Sequence, residues 1–346
     1  AYTQIAYAND LGMTVIVTDH HEVPYEEKDG ERAYKVPPAY AVVDPKQEDC
    51  TYPFPEICGA VVAYKLVLLL LARHFSKEWQ EIMESETGYA LLELAAFATI
   101  GDVMELKDEN RIIVKCGLEL MKNTRNIGLR ALMDVTEIQS QNIKPYTIGF
   151  VLGPCLNATG RLDTATNALE LFCAADTQSA VQIAGDLKAM NDSRKELTQK
   201  GVEEAICLIE ENGLLNDKVL VVYLPEVHES LAGIIAGRIR EKYGKPTFVL
   251  TNAEDGVKGS GRSIEAFHMY DEMTKCKELF TKYGGHKLAA GLSLPKENVV
   301  LFRKELNNNC NLTKEDFEEK VLIDVPMPMD YASFQLVEEL ALLEPF

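Results

Sequence analysis

Asp19, His20 and His21 stand consecutively behind the β-branched run Thr14-Val15-Ile16-Val17-Thr18. Such a run predicts a buried strand, and in an open parallel sheet ligands bind outside the carboxyl ends of the strands. A carboxylate and two imidazoles at that edge can hold a divalent metal ion and orient a phosphoryl group. Imidazole with carboxylate suits Mn²⁺ or a similar ion, and the thiolates that mark structural zinc are absent from the triplet. The plainer alternative has one imidazole capping the loop and the other packing on it. A second acid, Asp102, closes the apolar stretch Ala95-Ala96-Phe97-Ala98-Thr99-Ile100-Gly101. A helix or strand there would deliver its carboxylate at the element's end. Alone, Asp102 could equally be a cap or a surface acid.

Two further stretches read as anion sites. In Gly153-Pro154-Cys155-Leu156-Asn157-Ala158-Thr159-Gly160-Arg161-Leu162-Asp163 the outer glycines predict a tight loop. From it Asn157 and Arg161 could reach an anion. In Gly284-Gly285-His286-Lys287, two glycines ahead of a helix start predict an anion-binding helix N-terminus. His286 and Lys287 would stand at its rim. The charge pattern agrees: residues 228–304 carry 13 Lys and Arg against nine Asp and Glu, a local +4 in a chain of net −19. An acidic pI near 4.8 disfavours a protein that coats nucleic acid non-specifically, while leaving room for a local basic groove.

The elements that must position these residues follow from periodicity. With 346 residues, 47% of them hydrophobic, the chain has the composition of a globular protein of two or three domains. Ile5 to Leu11 reads as a helix stopped by Gly12, and Ala39 to Val43 as a second strand closed by Asp44-Pro45. Helical segments are expected at 59–73, 88–99, 111–121 and 164–173. The proline-free amphipathic stretch 177–211 predicts one long helix, or two collinear ones, joining two domains. After Gly213 the rhythm becomes alternating β and α: strand 218–223, helix 231–243, strand 247–250, then the Gly-rich 256–261. Because a central parallel strand needs partners from earlier in sequence, the numbering is expected to begin inside a domain. The longest apolar run, Leu66 to Ala72, is far short of the ~18–20 residues that span a bilayer, and no signal peptide is visible. Eight scattered cysteines without a C-x-x-C pair point to reduced thiols and a cytoplasmic protein.

Taken together, the motifs resemble the DHH phosphoesterase superfamily and, within it, the RecJ single-strand exonucleases. The Asp-His-His triplet is that superfamily's namesake. Further matches are Ile57-Cys58-Gly59-Ala60, Gly101-Asp102-Val103-Met104, the Asn-Ala-Thr-Gly-Arg-Leu stretch at 157–162 and Lys258-Gly259-Ser260-Gly261-Arg262-Ser263. His228-Glu229 followed by Gly233-Ile234-Ile235-Ala236-Gly237-Arg238, and the Gly-Gly-His element at 284–286, complete an ordered set reaching about residue 310. The resemblance implies an α/β fold in which a parallel-sheet DHH domain, here incomplete, occupies 1–175. A connecting helix at 176–212 would lead to a smaller α/β DHH-associated C-terminal domain at 213–311, with a cleft between the two. Residues 312–346 would lead toward an oligonucleotide-binding barrel.

It also implies chemistry: metal-dependent 5′-to-3′ hydrolysis of single-stranded DNA to mononucleotides, with two Mn²⁺ or Mg²⁺ ions assisting in-line attack on phosphorus. His20, Asp102 and Asp19 would hold metal, and His21 would contact the scissile phosphate. Asp19, His21 and Arg161 would form the catalytic set. Asn157, Arg161, Arg238, Arg262, Ser263, Gly284, Gly285, His286 and Lys287 would hold the strand. The family's Asp-x-Asp motif occurs nowhere in these residues, so activity is expected to need acids supplied upstream. The family setting implies DNA repair and recombination, a monomer, no membrane, and single-strand-binding protein or a helicase as partner. Two other functions stay open: a DHH phosphodiesterase or phosphatase on short oligonucleotides or small nucleotides, and a non-catalytic DNA-binding relative.

Overall fold

A computed structural model describes every residue except 1, 29, 30, 163–165, 319 and 320, and of 28, 31 and 159–162 only the backbone. By its own contacts the chain divides into two compact units. One gathers most residues up to Lys188 together with the returning stretch Pro328–Phe346; the other is built on Ala189–Met327.

In the first unit the helix Tyr2–Asp10 ends at Gly12, whose φ of 77° only glycine adopts without strain. Strand β1 (Ile16–Thr18) follows. A hairpin of β2 (Tyr25–Lys28) and β3 (Glu31–Tyr34) comes next, then β4 (Ala41–Val43). β1 and β4 pair in parallel, Thr18 opposite Val43. The expected buried strand is shorter and more open than its β-branched run suggests, with Ile16 60% exposed. Among the described residues β1 has a neighbouring strand on one edge only, which accounts for that exposure. The β2–β3 hairpin, with Tyr25 opposite Tyr34, had no expectation attached to it.

Helices make up the rest of this unit. Gly59–Phe75, Glu86–Gly101, Asp108–Met121 and Ile127–Val135 bury Val61, Val62, Ala95, Ala96, Val114, Leu129 and Leu132 in one core. Ser85 and Asn126 cap two of them by accepting from the N–H groups of Gly88 and Leu129. Helices Glu86–Gly101 and Asp108–Met121 pack tightly at Gly117, where an added Cβ would lie 2.1 Å from Ala96 Cβ. The tight loop expected at 153–163 is instead helix Gly153–Leu162. Proline is tolerated in a first helical turn, and Leu152, Cys155 and Ala158 bury one face at helical spacing. The late stretch is fastened here too: Arg111 Nη2 donates to the Leu343 carbonyl (2.6 Å), and Lys144 pairs with Glu344 (3.2 Å).

A single helix, Thr177–Glu211, carries the chain onward. The second unit holds a five-stranded mixed sheet in the order β5-β6-β7-β9-β8. Its strands are β5 (Leu220–Tyr223), β6 (Thr247–Ala253), β7 (Gly256–Arg262), β8 (Lys282–Gly285) and β9 (Ala289–Leu294). β5 and β6 are parallel, joined through helix Ala232–Tyr243, and the other pairings are antiparallel. Apolar layers cover both faces, one on Phe248, Leu250, Phe302 and Leu306, the other on Leu220, Val222, Ile235 and Ile239. No closed barrel occurs among the described residues.

The helix start expected after Gly284-Gly285 is corrected: these glycines end β8, and the chain turns directly into β9. Gly285 has φ 154°, and a Cβ there would sit 2.5 Å from the Ala289 carbonyl oxygen, so a tight hairpin rather than a helix needs the glycine. The alternating burial of Ala290, Leu292 and Leu294 is a strand's signature.

Candidate metal and phosphate site

Parallel pairing sets the carboxyl ends of β1 and β4 side by side, and the site begins there. Asp19 N–H donates to the Val43 carbonyl (3.1 Å), which extends the ladder one step and fixes the carboxylate just beyond the sheet. Asp19 Oδ1 then accepts three hydrogen bonds: from the N–H groups of His20 (2.7 Å) and His21 (3.3 Å), and from His21 Nδ1 (2.7 Å). Burial would raise the Asp19 pKa, but these donors outweigh it and hold the carboxyl below its ordinary range. The same hydrogen bond, backed by the charges of Asp19, Asp102 and Asp44, raises the pKa of exposed His21.

His20 points elsewhere. Its half-buried ring lies over the first residue of helix Gly59–Phe75, where a Cβ on Gly59 would come 3.2 Å from His20 Cδ2. Its Nε2 is 3.4 Å from Asp102 Oδ2, across 82 positions of sequence. Two adjacent ligands ~2.1 Å from an octahedral ion are about 3 Å apart, so this spacing suits one shared cation. Asp102 follows the last turn of helix Glu86–Gly101. The helix dipole is negative there, which disfavours a carboxylate unless a cation joins it. The next residue, Val103, holds φ 57°, a region that β-branched residues avoid and that costs on the order of 1–3 kcal/mol. Like charge at a helix C-terminus beside a strained turn is what a cation site offsets. The donor atoms of Asp19, His20 and His21 also lie within 4.8 Å of one another, and no other such group occurs among the described residues.

Three neighbours are not among the site residues expected from sequence. Asp44, buried at the end of β4, stands in the register position next to Asp19 and accepts from Lys46 N–H (2.9 Å). Lys46 Nζ bridges Glu22 (3.1 Å) and Glu56 (2.5 Å), tying the loop after the triplet to the one before helix Gly59–Phe75. Burial would lower its pKa; the two carboxylates raise it instead. Gly59 supplies the room for His20. The shared signal was position: Asp44-Pro45 ends a parallel strand just as Asp19 does.

The remaining expected residues are spread over both units. Asn157 is exposed on helix Gly153–Leu162. The Arg161 backbone belongs to that helix, and its side chain lies outside the described residues. In the second unit, Arg238 is exposed and donates to Gln199 (3.1 Å). Arg262 donates to the Gly261 carbonyl (2.8 Å) and Ser260 Oγ (3.2 Å). Its guanidinium crosses the start of helix Ala232–Tyr243, where a Cβ on Gly233 would lie 2.9 Å from Arg262 Nη2. Ser263 turns inward: buried, it donates from Oγ to the Phe267 carbonyl (2.7 Å) and from N–H to the Leu288 carbonyl (2.9 Å). Its hydroxyl serves the turn after β7 rather than a ligand. Gly284 and Gly285 close the β8–β9 hairpin, with His286 and Lys287 exposed on its tip and Lys287 paired to Glu265 (2.7 Å).

Comparison with known proteins places this geometry among relatives. The DHH family, N-terminal domain, matches residues 1–99, and the DHHA1 domain matches 216–311. The single-stranded-DNA-specific exonuclease RecJ of Bacillus subtilis is 34% identical over 343 residues, which is 98% of this chain and 41% of that protein. Among solved structures, RecJ of Thermus thermophilus in complex with Mn²⁺ superposes with a TM-score of 0.78 at 28% identity, covering 100% of this chain and 49% of that one. Its Mg²⁺ complex gives 0.75 at 28% identity, covering 97% and 48%. The chain therefore spans about half the length of the relatives it matches, or less.

Proposed function

From a chain that carries a DHH domain and a DHHA1 domain, and that is homologous to RecJ over most of its length, we propose a metal-dependent exonuclease hydrolysing single-stranded DNA from the 5′ end. The observation that carries this reading is the convergence of His20 Nε2 and Asp102 Oδ2 at 3.4 Å beside Asp19, outside the carboxyl end of a parallel strand. His20, Asp102 and Asp19 would hold a divalent cation; the similar RecJ structures are complexes with Mn²⁺ and Mg²⁺. Two such ions would supply Lewis-acid polarisation of the phosphoryl oxygens and offset their charge.

The chain's own residues do the rest. Asp19 anchors the triplet and orients the His21 ring through Nδ1. An imidazole held this way, its pKa raised by Asp19, Asp102 and Asp44, would present Nε2–H to an anion, the scissile phosphate. Arg161 and Asn157 would fix that phosphate's orientation. Arg238, Arg262, His286 and Lys287 would hold the strand's backbone, with Gly284 and Gly285 letting it approach the hairpin. Phosphate contacts carry no base information, so cutting would be sequence-independent. The domain division 1–175, 176–212, 213–311 and 312–346 is part of the same proposal, and the two family matches support it. So are roles in repair and recombination, a monomeric cytoplasmic protein, and single-strand-binding protein or a helicase as partner, all supported by the resemblance. No described helix is long and apolar enough to cross a membrane.

The test is cleavage of a 5′-phosphorylated single-stranded oligonucleotide, by protein that also carries the Asp-x-Asp acids, with Mn²⁺, with Mg²⁺ and with EDTA. Mononucleotide release that requires metal and fails in Asp102→Asn supports the assignment. Release unaffected by EDTA or by Asp102→Asn overturns it.

A further inference from the structure

Tyr146 and Phe150 stand out as large exposed aromatics beside the fully buried Ile148 and Leu152. Phe150 lies in the middle of a π-helical turn, Ile148–Leu152, whose ends Ile148 and Leu152 are fully buried, and Tyr146 stands two residues before it. Its Gly149 lies against the side chain of Ile100, two residues before Asp102. Between the two buried ends Phe150 faces outward, 68% exposed, and Tyr146 in the preceding turn is 67% exposed. Their rings are stacked, with centroids 4.9 Å apart and planes inclined by 26°. Two large aromatics held flat and open to water cost hydration free energy that burial would recover. Insertions of one extra residue into a helical turn also recur at functional sites.

We propose that this pair is a stacking platform for a nucleobase of the bound single strand, next to the metal and phosphate site; the proposal rests on the reading of single-stranded nucleic acid as substrate. The platform bears no charge of its own, and the adjacent cation, Lys144, is paired with Glu344. It therefore suits a flat, weakly hydrated ring rather than a phosphate. Every base has such a face, so stacking adds affinity without sequence preference. The connection to Asp102 is short and stiff. The turn packs on helix Glu86–Gly101, which ends at that carboxylate. A base seated on Phe150 would help fix the position of the phosphodiester relative to the acid.

A single strand carrying 2-aminopurine at positions stepped from the 5′ end, bound by this chain in EDTA, reports stacking without cleavage. Wild type is expected to quench the probe several-fold at one or two positions. Phe150→Leu with Tyr146→Leu, which keeps apolar bulk, should abolish that quench and weaken binding about tenfold or more by anisotropy. Phe150→Trp should preserve it. An abasic site at the quenched position should weaken wild type by a similar factor and leave the double variant unaffected. Quenching that persists in the double variant, an abasic penalty equal in both proteins, or a wild type that quenches nowhere would each overturn the platform. Failure of the exonuclease reading is separate, since it would show as DNA left uncut in Mn²⁺ by protein that also carries the Asp-x-Asp acids, while the quench remains.

Discussion

Asp19 and His21 titrate as a pair, each moved by the other. His21 is raised from its ordinary 6.5, so the stability it contributes is fully present below that pH and fades as pH rises through the raised value. Asp19 is lowered from 3.8, so its contribution is present above that pH and fades as pH falls through the lowered value. In metal-free protein the His21 ring resonances should titrate above 6.5, and Asp19→Asn should return the midpoint toward it. The pair is exposed, so its worth is under about 1 kcal/mol. Wild type should exceed Asp19→Asn in Tm more at pH 5.5 than at pH 8.5; equal differences would break the linkage. The two imidazoles should also fail differently. In protein that also carries the Asp-x-Asp acids, His20→Ala should lose Mn²⁺ by calorimetry and activity with it. His21→Ala should keep the ion but lose ~10²–10³ in single-turnover rate, the usual loss for one preorganised donor. A His21→Ala variant cutting at the wild-type rate would make that residue structural.

Elements decide whether these side chains meet. Helix Glu86–Gly101 must lie close to Asp108–Met121 to end where it does, and Gly117 permits the approach. Gly117→Ala should destabilise the chain by about 1–3 kcal/mol, read as a lower urea midpoint at unchanged slope. Much of this layer was legible in sequence. Apolar periodicity marked the helices beginning at Gly59, Glu86 and Asp108, and the proline-free run of 35 residues marked Thr177–Glu211. The triplet and Asp102 were legible because each closes an apolar element with a polar group. What escaped had a local explanation. Paired glycines suit a helix start and a hairpin equally, and only the alternation of Ala290, Leu292 and Leu294 separates them. The glycines and proline at 153–160 masked a helical face on Leu152, Cys155 and Ala158. Ser263 sits in a basic motif yet faces inward, and no pattern of residue types distinguishes a hydroxyl serving its own turn from one awaiting a ligand. Asp44 and Lys46 become visible only once β4 is known to lie parallel to β1.

On the scale of the molecule, charge is the property that bears on substrate. The +4 of residues 228–304 sits within a total of −19, so attraction to a polyanion must be local and strongly salt-dependent. Arg262→Ala and Lys287→Ala should weaken all single strands alike. Each should flatten the slope of log K against log salt by about 0.7, the release of one counterion from a single strand. Slopes unchanged in both variants would return the two cations to ordinary surface charge. The path of the chain has another consequence, in time rather than space. Ala189–Met327 form one unit, while Pro328–Phe346 return to the other, where Arg111 meets Leu343 and Lys144 meets Glu344. During synthesis the later unit is therefore complete before the earlier one. At ~5–20 residues per second, the ribosome takes about 1–4 s to add the returning stretch. The domain that starts the chain is thus the last to be fastened, and its clasp at Arg111 and Lys144 closes only after every residue of the later unit has been made.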